Sequence, residues 1–478
     1  MRLSELAYET IEPDPQIDGL TADSRAVLRG FLFAALPGVK TDGAKFIRQA
    51  EENGAAAILA MPGVSANVPV IEDPQPRRRL AQLAARFYPR QPDIIAGVTG
   101  TNGKTSTARF AAQLWTLLGL EAGSLGTLGA QSRVFERALE HTTPDPVMLH
   151  ETLDAMARAG VTHLAMEASS HGLAQHRADG VHFRVAAFTN ITQDHLDYHS
   201  SFEEYFAAKG RLFSDLLAKG GTAAINMDGE GAEGIVELAR QRNLPTVQTG
   251  VKGRDVKLVD CKPHMSGLAL EIEYGGYRYR ADPPLIGGFQ AENALLAAGI
   301  VIASGARASD VMLQLANLEG APGRMEFVAE IAGGGVYVDY AHTPDAVATA
   351  LKAIRPHAPG RVIAIIGAGG DRDKTKRPLM GAAAKDNADF VIVTDDNPRT
   401  EDPAAIRSEV LKGCPDAKEI GERGEAIAAG VAMLSEGDVL LILGKGHEAG
   451  QQVGDQVFPF DDASVARDAV ADRMKELG

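Results

Sequence analysis

Residues 94–105 read IIAGVTGTNGKT, a short apolar run followed by a glycine-rich turn. The run Ile94–Val98 predicts a strand, and the pattern after the turn predicts a helix from about Lys104 to Leu118. Backbone N–H groups in such a turn, at the start of a helix, can hold phosphate oxygens. Lys104 would neutralise the phosphates, and the Thr105 hydroxyl would bind Mg²⁺. The alternative is an ordinary glycine-rich turn between a strand and a helix.

The alternation of apolar runs and helical patterns continues on both sides of this stretch. Residues 1–88 predict a small α/β domain with a helix near 78–88, and Pro89 and Pro92 then interrupt the helical pattern. Short apolar runs between helical patterns are typical of parallel sheets that are covered on both faces. Such runs lie at 161–166, 185–189 and 222–225 in the central part and at 336–340, 361–366, 390–394 and 439–443 in the C-terminal part.

The predicted fold class is α/β with three domains, which suits a chain of 478 residues. A small domain over residues 1–88 precedes a central P-loop-type domain with a mostly parallel sheet over residues 89–323. A Rossmann-like domain with a second doubly wound sheet takes residues 324–478. Open sheets of this kind bind ligands where their strands end, so the polar loops that follow the apolar runs are the candidate binding sites.

Composition excludes several classes of protein. The net charge of −15 argues against non-specific binding to nucleic acid or an anionic membrane, because phosphate contacts need clustered Lys and Arg. Two cysteines cannot build a disulfide framework or a cysteine-rich zinc site. The first residues lack the features of a signal peptide, and no apolar stretch approaches the roughly 18 residues of a membrane span. We therefore expect a soluble cytoplasmic protein.

Two polar segments follow predicted strands in the central part. Residues 166–171 read MEASSH, and a carboxylate such as Glu167 at a strand end can complete a Mg²⁺ site beside a phosphate loop. The alternative is that this segment only caps a helix. Residues 190–199 read NITQDHLDYH, which is dense enough in polar groups to hold a second metal ion or a catalytic base. A solvated loop with one hydrogen-bonded histidine is the other interpretation.

Lys209 lies on the apolar face of a predicted helix. Ser201 and Glu204 have the spacing of a capping box, which predicts that the helix starts there. One face of this helix then carries Phe202, Phe206, Lys209 and Phe213. A buried ammonium group is costly unless it is paired or neutralised, and a neutral amine can react with CO₂ to give a carbamate. The alternative is a lysine that extends its ammonium group to solvent.

Three loops of the C-terminal part carry both signs of charge. They read DRDK at 371–374, DNPR at 396–399 and GKGHE at 444–448, and each follows a predicted strand. Mixed charges at one sheet edge favour a zwitterionic ligand such as an amino acid. Salt bridges that only stabilise turns are the alternative for each loop alone.

Together these motifs resemble those of the Mur ligase family, which acts in peptidoglycan synthesis. The resemblance covers nearly the whole chain, and the loop agrees with that family at Val98, where the general phosphate-loop template has glycine. The matching segments are Asp23-Ser24-Arg25, GTNGKT at 100–105, HTTPD at 141–145, MEASSHGL at 166–173, NITQDHLDYH at 190–199, Lys209, Asn293, PGRME at 322–326, VDYAHTPD at 338–345, GDRDKTKRPLM at 370–380, DNPR at 396–399 and GKGHE at 444–448.

The resemblance implies a UDP-binding first domain, a central ATPase domain and a C-terminal amino-acid domain. It implies ATP-dependent joining of an amino acid to the D-glutamate of UDP-N-acetylmuramoyl-L-alanyl-D-glutamate through an acyl phosphate, with release of ADP and phosphate. We expect the amino acid to be meso-diaminopimelate. The resemblance also implies Mg²⁺ in two sites. From the acidic net charge we expect no nucleic acid partner. We expect a monomer without a membrane span.

The resemblance also implies roles for particular residues. Those expected to contact ATP are Gly100, Thr101, Asn102, Gly103, Lys104, Thr105, Ser106, Asn293, Arg324 and Asp339. Those expected to hold the UDP-muramoyl dipeptide are Ser24, Thr142, Thr143, Ser169, Gln175 and Arg177. Those expected to bind diaminopimelate are Arg372, Asp396, Asn397, Pro398, Arg399, Gly444 and Glu448. The metal ligands would be Thr105 and Glu167 for one Mg²⁺, and His195 and carbamylated Lys209 for the second; Lys104, Glu167, His195 and Lys209 would be catalytic.

Three alternatives remain at this point. Folylpolyglutamate synthetases share the central and C-terminal architecture but would not need the first domain or the DNPR motif. A nucleotide-gated binding protein without catalysis would not need Lys104, Thr105, Glu167, His195 and Lys209 together. A ligase with the same mechanism could use L-lysine, but Arg399 favours diaminopimelate, because a guanidinium can grip its second carboxylate with two hydrogen bonds.

Overall fold

The computed structural model describes residues 1–38, 42–192, 199, 201–264 and 266–477. The chain forms two compact units. Unit 1 consists of Met1–Arg254 and Leu296–Ala308, and unit 2 consists of Asp255–Leu295 and Ser309–Gly478. The predicted domain limits near residues 88 and 323 stay predictions.

Among the residues that the structure describes, the first part of unit 1 is a four-stranded parallel sheet with three α-helices. The strands are β1 (Gly19–Thr21), β2 (Phe31–Ala34), β3 (Ala57–Ala60) and β4 (Val70–Glu72), paired in that order. The helices are α1 (Leu3–Ala7), α2 (Ile47–Glu52) and α3 (Pro76–Phe87). The helix predicted near 78–88 is therefore confirmed, and its first turn carries Pro76, where a missing N–H costs nothing.

The second part of unit 1 is a larger, mostly parallel sheet around the phosphate-loop stretch. Its strands are β5 (Ile94–Thr99), β6 (Ala122–Gly126), β7 (Gly129–Ser132), β8 (Glu136–Arg137), β9 (His163–Glu167), β10 (Phe183–Phe188), β11 (Leu217–Asn226) and β12 (Thr246–Gly250). Its helices are α4 (Lys104–Leu117), α5 (Pro146–Arg158), α6 (Ser170–Ala174), α7 (Phe202–Arg211) and α8 (Ala232–Gln241). The order β12-β11-β10-β5-β9-β6-β7-β8 places β5 in the interior, and only the β6–β7–β8 pairs are antiparallel.

Unit 2 begins with an antiparallel meander and then forms a second mostly parallel sheet. The meander is β13 (Val256–His264), β14 (Gly267–Tyr274) and β15 (Tyr277–Ala281); α9 (Gly288–Ala303) and α10 (Ala308–Gln314) follow it along the chain. The sheet strands are β16 (Glu326–Ile331), β17 (Gly334–Asp339), β18 (Val362–Ile366), β19 (Phe390–Val393), β20 (Lys418–Glu419) and β21 (Val439–Leu443). A separate hairpin contains β22 (Gly450–Val453) and β23 (Gln456–Pro459). The remaining helices are α11 (Pro344–Ile354), α12 (Lys376–Asn387), α13 (Pro403–Leu411), α14 (Arg423–Ala432) and α15 (Asp462–Leu477).

The second sheet has the order β16-β17-β21-β18-β19-β20, and only its first pair is antiparallel. The sequence of strand β18 is apolar throughout because all five of its residues are buried. Alternate side chains pack into different hydrophobic cores. Val362, Ala364 and Ile366 pack on one face, whereas Ile363 and Ile365 pack on the other. The predicted α/β class with parallel sheets covered on both faces is thus confirmed.

The predicted helix around Lys209 is confirmed. Helix α7 starts at Phe202, and the Ser201 hydroxyl accepts a hydrogen bond from the Glu204 N–H at 3.2 Å. Lys209 and Phe213 are buried. Phe202 was placed on the same face, but it is 37% exposed. It occupies the first helical position, beyond the side chains that pack against the core.

A fully buried ion pair joins two helices and two strand ends in unit 2. Arg423, at the start of α14, and Asp462, at the start of α15, have completely buried side chains. Their two hydrogen bonds measure 2.6 and 2.7 Å. Arg423 also donates to the carbonyl of Asp395 at 3.3 Å and to that of Leu443 at 3.1 Å. The guanidinium therefore holds the ends of β19 and β21, where two of the predicted substrate loops begin.

We expect Arg423→Met to lower the free energy of unfolding of unit 2 by about 3–5 kcal/mol, because it leaves the Asp462 carboxylate buried without its cation. Urea unfolding of the full chain measures this loss. Arg473→Met, which removes a half-buried partner of the solvent-exposed Glu476 on α15, should cost less than about 1 kcal/mol. Equal losses in the two variants would contradict this account of the buried pair.

Candidate functional site

The phosphate-loop segment has a conformation that only glycine adopts easily. Gly100 has a φ of +148°, and a Cβ there would lie 1.8 Å from the Thr189 hydroxyl oxygen. Gly103 has a φ of +83° immediately before α4. The Thr101 N–H donates to the backbone carbonyl of Asn190 at 2.8 Å. The turn is thus pressed against the segment that follows β10, and its sequence cannot vary freely.

Two lysine side chains meet at this turn. Lys104 Nζ donates to the carbonyls of Gly100 at 3.0 Å and Thr101 at 2.8 Å. Lys209 Nζ donates to the same Gly100 carbonyl at 2.7 Å, and only 1% of Lys209 is exposed. The Lys209 amino group also lies 4.4 Å from the ring centroid of Tyr205. Lys209 therefore does not extend to solvent; its amino group lies directly under the phosphate loop.

The Glu167 carboxylate connects the turn to its neighbours at the end of β9. Thr105 Oγ1 donates to Glu167 Oε2 at 3.0 Å, and the Thr127 N–H donates to Glu167 Oε1 at 2.8 Å. Helix capping here is performed by Ser169, whose hydroxyl accepts a hydrogen bond from the Gly172 N–H. The capping alternative therefore explains Ser169 and leaves Glu167 facing Thr105. Thr127 was not predicted from the sequence, although it follows a strand as the predicted residues do.

The side chains predicted to hold the muramoyl dipeptide form one network with Glu167. Thr143 Oγ1 donates to the Glu167 backbone carbonyl at 3.0 Å and lies 3.1 Å from the Ser169 hydroxyl. Arg177 donates to the Thr143 carbonyl at 2.7 Å and to Gln175 Oε1 at 2.9 Å. The Thr142 and Thr127 hydroxyl oxygens lie 3.0 Å apart. Five of the six predicted residues are thus brought together.

The other predicted residues of unit 1 are placed separately. Ser24 lies after β1 in the first sheet, where its hydroxyl donates to Gln49 Oε1 at 2.9 Å. Ser106 is buried in the first turn of α4. Asn102 N–H donates to the Asn190 side-chain oxygen at 3.1 Å. His195 lies outside the described residues.

The residues at the turn fit a magnesium ion with a bound nucleotide. A hydroxyl and a carboxylate, Thr105 and Glu167, stand 3.0 Å apart at the start of α4. In the described part of the chain no three His, Cys, Asp or Glu side chains form a metal-binding group. Mg²⁺ does not require one, because it keeps several waters and takes one or two carboxylates together with substrate phosphates.

Unit 2 places Arg324 and Asp339 beside each other at the end of β17. Burial raises the pKa of Asp339, while the Arg324 charge acts in the opposite direction. The Asp339 carboxylate accepts hydrogen bonds from the N–H groups of Met325 at 2.8 Å and Ala341 at 2.9 Å. Asp339 thus organises the turn that carries Arg324. Asn293 donates to Gln290 Oε1 at 3.0 Å within α9.

The Arg324 turn packs closely on the GKGHE loop. Gly323 has a φ of +63°, and a Cβ there would lie 2.2 Å from the backbone nitrogen of His447. Arg324 stands over the Tyr340 ring at 4.7 Å, and the ring of His447 lies 5.3 Å from that of Tyr340. Burial lowers the pKa of His447, and the Arg324 charge lowers it further. Both effects favour the neutral form of His447 beside the guanidinium.

The DNPR and GKGHE loops meet at the same edge of this sheet. Asn397 Nδ2 donates to Glu448 Oε2 at 2.9 Å, and a Cβ on Gly444 would lie 2.7 Å from Asp396 Oδ2. Arg399 has a φ of +51°, a conformation that is strained for a residue with a side chain. Its guanidinium donates to the Gly370 carbonyl at 2.7 Å.

The third loop completes this edge. Arg372 is exposed, and its charge adds to the effect of burial in lowering the pKa of Lys376. The carbonyl of Pro398 faces this loop so closely that a Cβ on Gly370 would lie 1.9 Å from it. The three mixed-charge loops therefore contact one another at this edge of the sheet.

Buried cations fix these loops and were missed by the sequence analysis. Arg377 is 1% exposed, pairs with Glu401 at 2.9 Å and donates to the Gly369 carbonyl at 3.2 Å. Lys445 has a completely buried side chain. Arginine and lysine on helices and loops are usually exposed, so the sequence alone gives no signal of their burial.

No helix in the described ranges is both long and apolar enough to cross a membrane.

The chain matches the family description "Mur ligase family, catalytic domain" over residues 16–88, "Mur ligase middle domain" over 98–301 and "Mur ligase, glutamate ligase domain" over 323–446.

Curated relatives match the chain along almost its full length. A UDP-N-acetylmuramoyl-L-alanyl-D-glutamate–2,6-diaminopimelate ligase of Caulobacter vibrioides is 49% identical, covering 98% of each chain. An enzyme of the same name from Bradyrhizobium diazoefficiens is 48% identical, also with 98% of each chain covered.

Solved structures also resemble this chain. One titled as a UDP-N-acetylmuramoyl-L-alanyl-D-glutamate–2,6-diaminopimelate ligase has a TM-score of 0.76 at 32% identity and covers 99% of both chains. A Mycobacterium tuberculosis folylpolyglutamate synthase has a TM-score of 0.60 at 20% identity, covering 77% of this chain and 92% of that one, which shows a shared fold alone. With its three matched regions and these relatives, the chain belongs to the Mur ligase family.

Proposed function

We propose that this protein is an ATP-dependent ligase that joins meso-diaminopimelate to the D-glutamate of UDP-N-acetylmuramoyl-L-alanyl-D-glutamate. The products are the UDP-linked tripeptide, ADP and phosphate, and the reaction belongs to peptidoglycan precursor synthesis. Relatives at 46–49% identity that carry the name of this activity support the proposal. We also propose that residues 1–88 hold the UDP group, with Ser24 as a contact, and that the C-terminal region binds the amino acid.

The single observation that carries the proposal is the position of Glu167. Its carboxylate accepts from Thr105 of the phosphate loop, and its backbone carbonyl accepts from Thr143 of the proposed dipeptide site. A nucleotide on the loop and a carboxylate held by Thr143, Ser169 and Arg177 would therefore lie close together. Transfer of a phosphoryl group to a carboxylate requires that proximity.

The reaction needs activation because a carboxylate is a poor electrophile. Attack of the glutamate carboxylate on the γ-phosphorus forms a carboxyl–phosphate bond and releases ADP. The amino group of the second substrate then attacks the acyl carbon, and phosphate leaves after a tetrahedral intermediate. Lys104 would stabilise the charge on the transferring group, and the glycine turn would orient it. Magnesium, when bound, would neutralise phosphate oxygens at Thr105 and Glu167.

The position of Lys209 supports the proposed carbamate. Lys104 and Lys209 donate to the same carbonyl oxygen, that of Gly100, so a positive charge on one disfavours a charge on the other. The neutral Lys209 amine would add to CO₂, forming an N–C bond and losing a proton. The resulting anion beside the phosphate loop would be a ligand for a second Mg²⁺, for which His195 is the other proposed ligand.

Arg399 is the proposed selector of the amino acid. The Arg399 guanidinium donates to the Gly370 carbonyl at this edge of the sheet. Arg372 and Glu448 are the other proposed partners of the zwitterion. Meso-diaminopimelate has a distal carboxylate that can accept two parallel hydrogen bonds from Arg399, whereas L-lysine has none. A site built around such a polar partner can reject the analogue that lacks it by about 10⁴-fold.

A ligase assay tests the proposal directly. The purified chain is given ATP, Mg²⁺, the UDP-muramoyl dipeptide and one amino acid at a time, and ADP and the UDP-linked product are measured. We expect turnover with meso-diaminopimelate and product formation with the corresponding mass. ADP release that does not depend on the dipeptide, or turnover with L-lysine at a similar rate, would contradict the proposal.

We expect Lys104→Ala to lower kcat at least about 100-fold, because the transferring phosphoryl group loses its nearest cation. Dipeptide-dependent ADP release measures the effect. Lys219→Ala, at an exposed lysine of the same unit, is the control and should retain wild-type activity. Near-normal turnover of Lys104→Ala would remove the phosphate-loop assignment.

We expect Lys209→Ala to be nearly inactive and to regain part of its activity when a short carboxylic acid such as acetate is added. The acid would occupy the space of the carbamate and present the same charge to the metal. Lys104→Ala under the same acetate series is the control, since its defect is a lost cation. Full activity of Lys209→Ala without acetate would contradict a carbamate at this position.

We expect Arg399→Ala to raise the KM for meso-diaminopimelate at least tenfold while the KM values for ATP and the UDP-dipeptide stay within about twofold. Arg399→Lys should lie between, because it keeps the charge but not the fork of donors. Steady-state kinetics with each substrate varied in turn makes the comparison. A uniform rise of all three KM values would instead indicate damage to unit 2.

A further inference from the structure

Lys445 is the cation of the GKGHE loop, and its burial was not predicted from the sequence. Its side chain is completely buried, yet it follows β21 in the loop that carries Glu448. Its amino group donates to Asn397 Oδ1 at 3.1 Å, to Glu448 Oε2 at 3.3 Å and to the Gly450 carbonyl at 2.6 Å. One ammonium group thus connects the DNPR loop, the GKGHE loop and the first residue of the hairpin formed by β22 and β23.

The hairpin, residues 450–459, is bound to the DNPR loop along its first strand. Gln451 Nε2 donates to the Asp396 carbonyl at 2.7 Å, and the Gln452 N–H donates to Asn397 Oδ1 at 2.9 Å. The Arg399 N–H donates to the Gln452 carbonyl at 3.1 Å, and the Gly454 N–H donates to the Arg399 carbonyl at 2.6 Å. Both backbone groups of Arg399 are therefore held by the hairpin.

The hairpin contributes little to the hydrophobic core of unit 2. All four residues of β23 are exposed, including Val457 at 69% and Phe458 at 49%. An isolated two-stranded hairpin is marginally stable in water, so this one depends on its bonds to the DNPR loop and to Lys445. In return, the strained backbone at Arg399 is kept in place by those same bonds.

We propose that Lys445 and the hairpin it anchors are positioning elements of the amino-acid site: they orient Asn397, Glu448 and Arg399 and so determine affinity for the amino acid. This proposal rests on the proposed function, since it concerns the same site. Lys445 Nζ and Asn397 Nδ2 both donate hydrogen bonds to Glu448 Oε2. These two bonds fix the orientation of the Glu448 carboxylate and therefore the position of its second oxygen, Oε1.

The first test replaces Lys445 by Met, which keeps the length of the side chain and removes the ammonium group. We expect Lys445→Met to raise the KM for meso-diaminopimelate at least tenfold while the KM values for ATP and the UDP-dipeptide change less than twofold. The control is Arg361→Met. Arg361 pairs with Asp438 at 2.6 Å at the opposite, amino-terminal edge of the same sheet.

The control separates positioning from stability. Arg361→Met should lower the urea midpoint of unfolding and leave all three KM values within twofold, because no substrate loop is attached to it. An unchanged KM for meso-diaminopimelate in Lys445→Met, or an equal rise in all three KM values, overturns the proposal.

A second pair of variants decides the matter even if Lys445→Met does not fold. Gln451→Ala removes only the bond between the hairpin side chain and the Asp396 carbonyl, and we expect it to raise the KM for meso-diaminopimelate about threefold to tenfold with kcat nearly kept. Gln456→Ala, at an exposed glutamine of the same hairpin, should leave this KM unchanged. Equal values for the two glutamine variants overturn the proposal.

The two proposals fail in different ways. If the wild-type chain does not use meso-diaminopimelate, the proposed substrate is wrong, and the same KM comparison is made with the amino acid for which the wild-type chain releases ADP. If the wild-type chain uses meso-diaminopimelate and neither Lys445→Met nor Gln451→Ala changes its KM, the positioning proposal alone is wrong.

Discussion

The pairing of β9 with β5 sets the geometry on which the rest of unit 1 depends. Val98 lies opposite Glu167 in this parallel pair, and the Ala168 N–H continues the ladder to the Val98 carbonyl at 2.8 Å. The phosphate turn therefore begins at the edge of the sheet beside the Glu167 carboxylate. A shift of one residue would turn Glu167 to the other face, away from Thr105. The chemistry proposed for this edge thus rests on strand register before it rests on any single side chain.

In unit 2, buried cations hold the polar loops in position. Three polar loops have to keep fixed positions at a sheet edge, although loops have few apolar contacts of their own. Arg377, Arg423 and Lys445 each lie beneath them and bond to backbone carbonyls as well as to carboxylates. Each cation is matched by an acidic partner, so its burial is tolerated. The chain is acidic overall, and three of its cations are buried beneath these loops.

Much of the fold and part of the site follow from local sequence. Apolar runs such as 361–366 predict buried strands because no polar alternation interrupts them, and the Gly-Lys-Thr turn after a strand has few other structural uses. Thr127 and Lys445 could not be found in this way, because their roles come from strand order and burial. The Arg423–Asp462 pair joins residues 39 positions apart on two helices, which no local pattern reveals. The exposure of Phe202 was not predicted, because periodicity gives the face of a helix but not where its packing ends.

At residue 399 the backbone conformation and the proposed role of the side chain favour different amino acids. A left-handed φ is comfortable for glycine or asparagine and strained by about 1–3 kcal/mol for arginine. Under the proposed function, only arginine supplies the paired donors for a distal carboxylate. Selection of this chain for heat resistance alone would therefore favour glycine or asparagine at residue 399, and the more robust protein that emerged would have lost its means of choosing an amino acid.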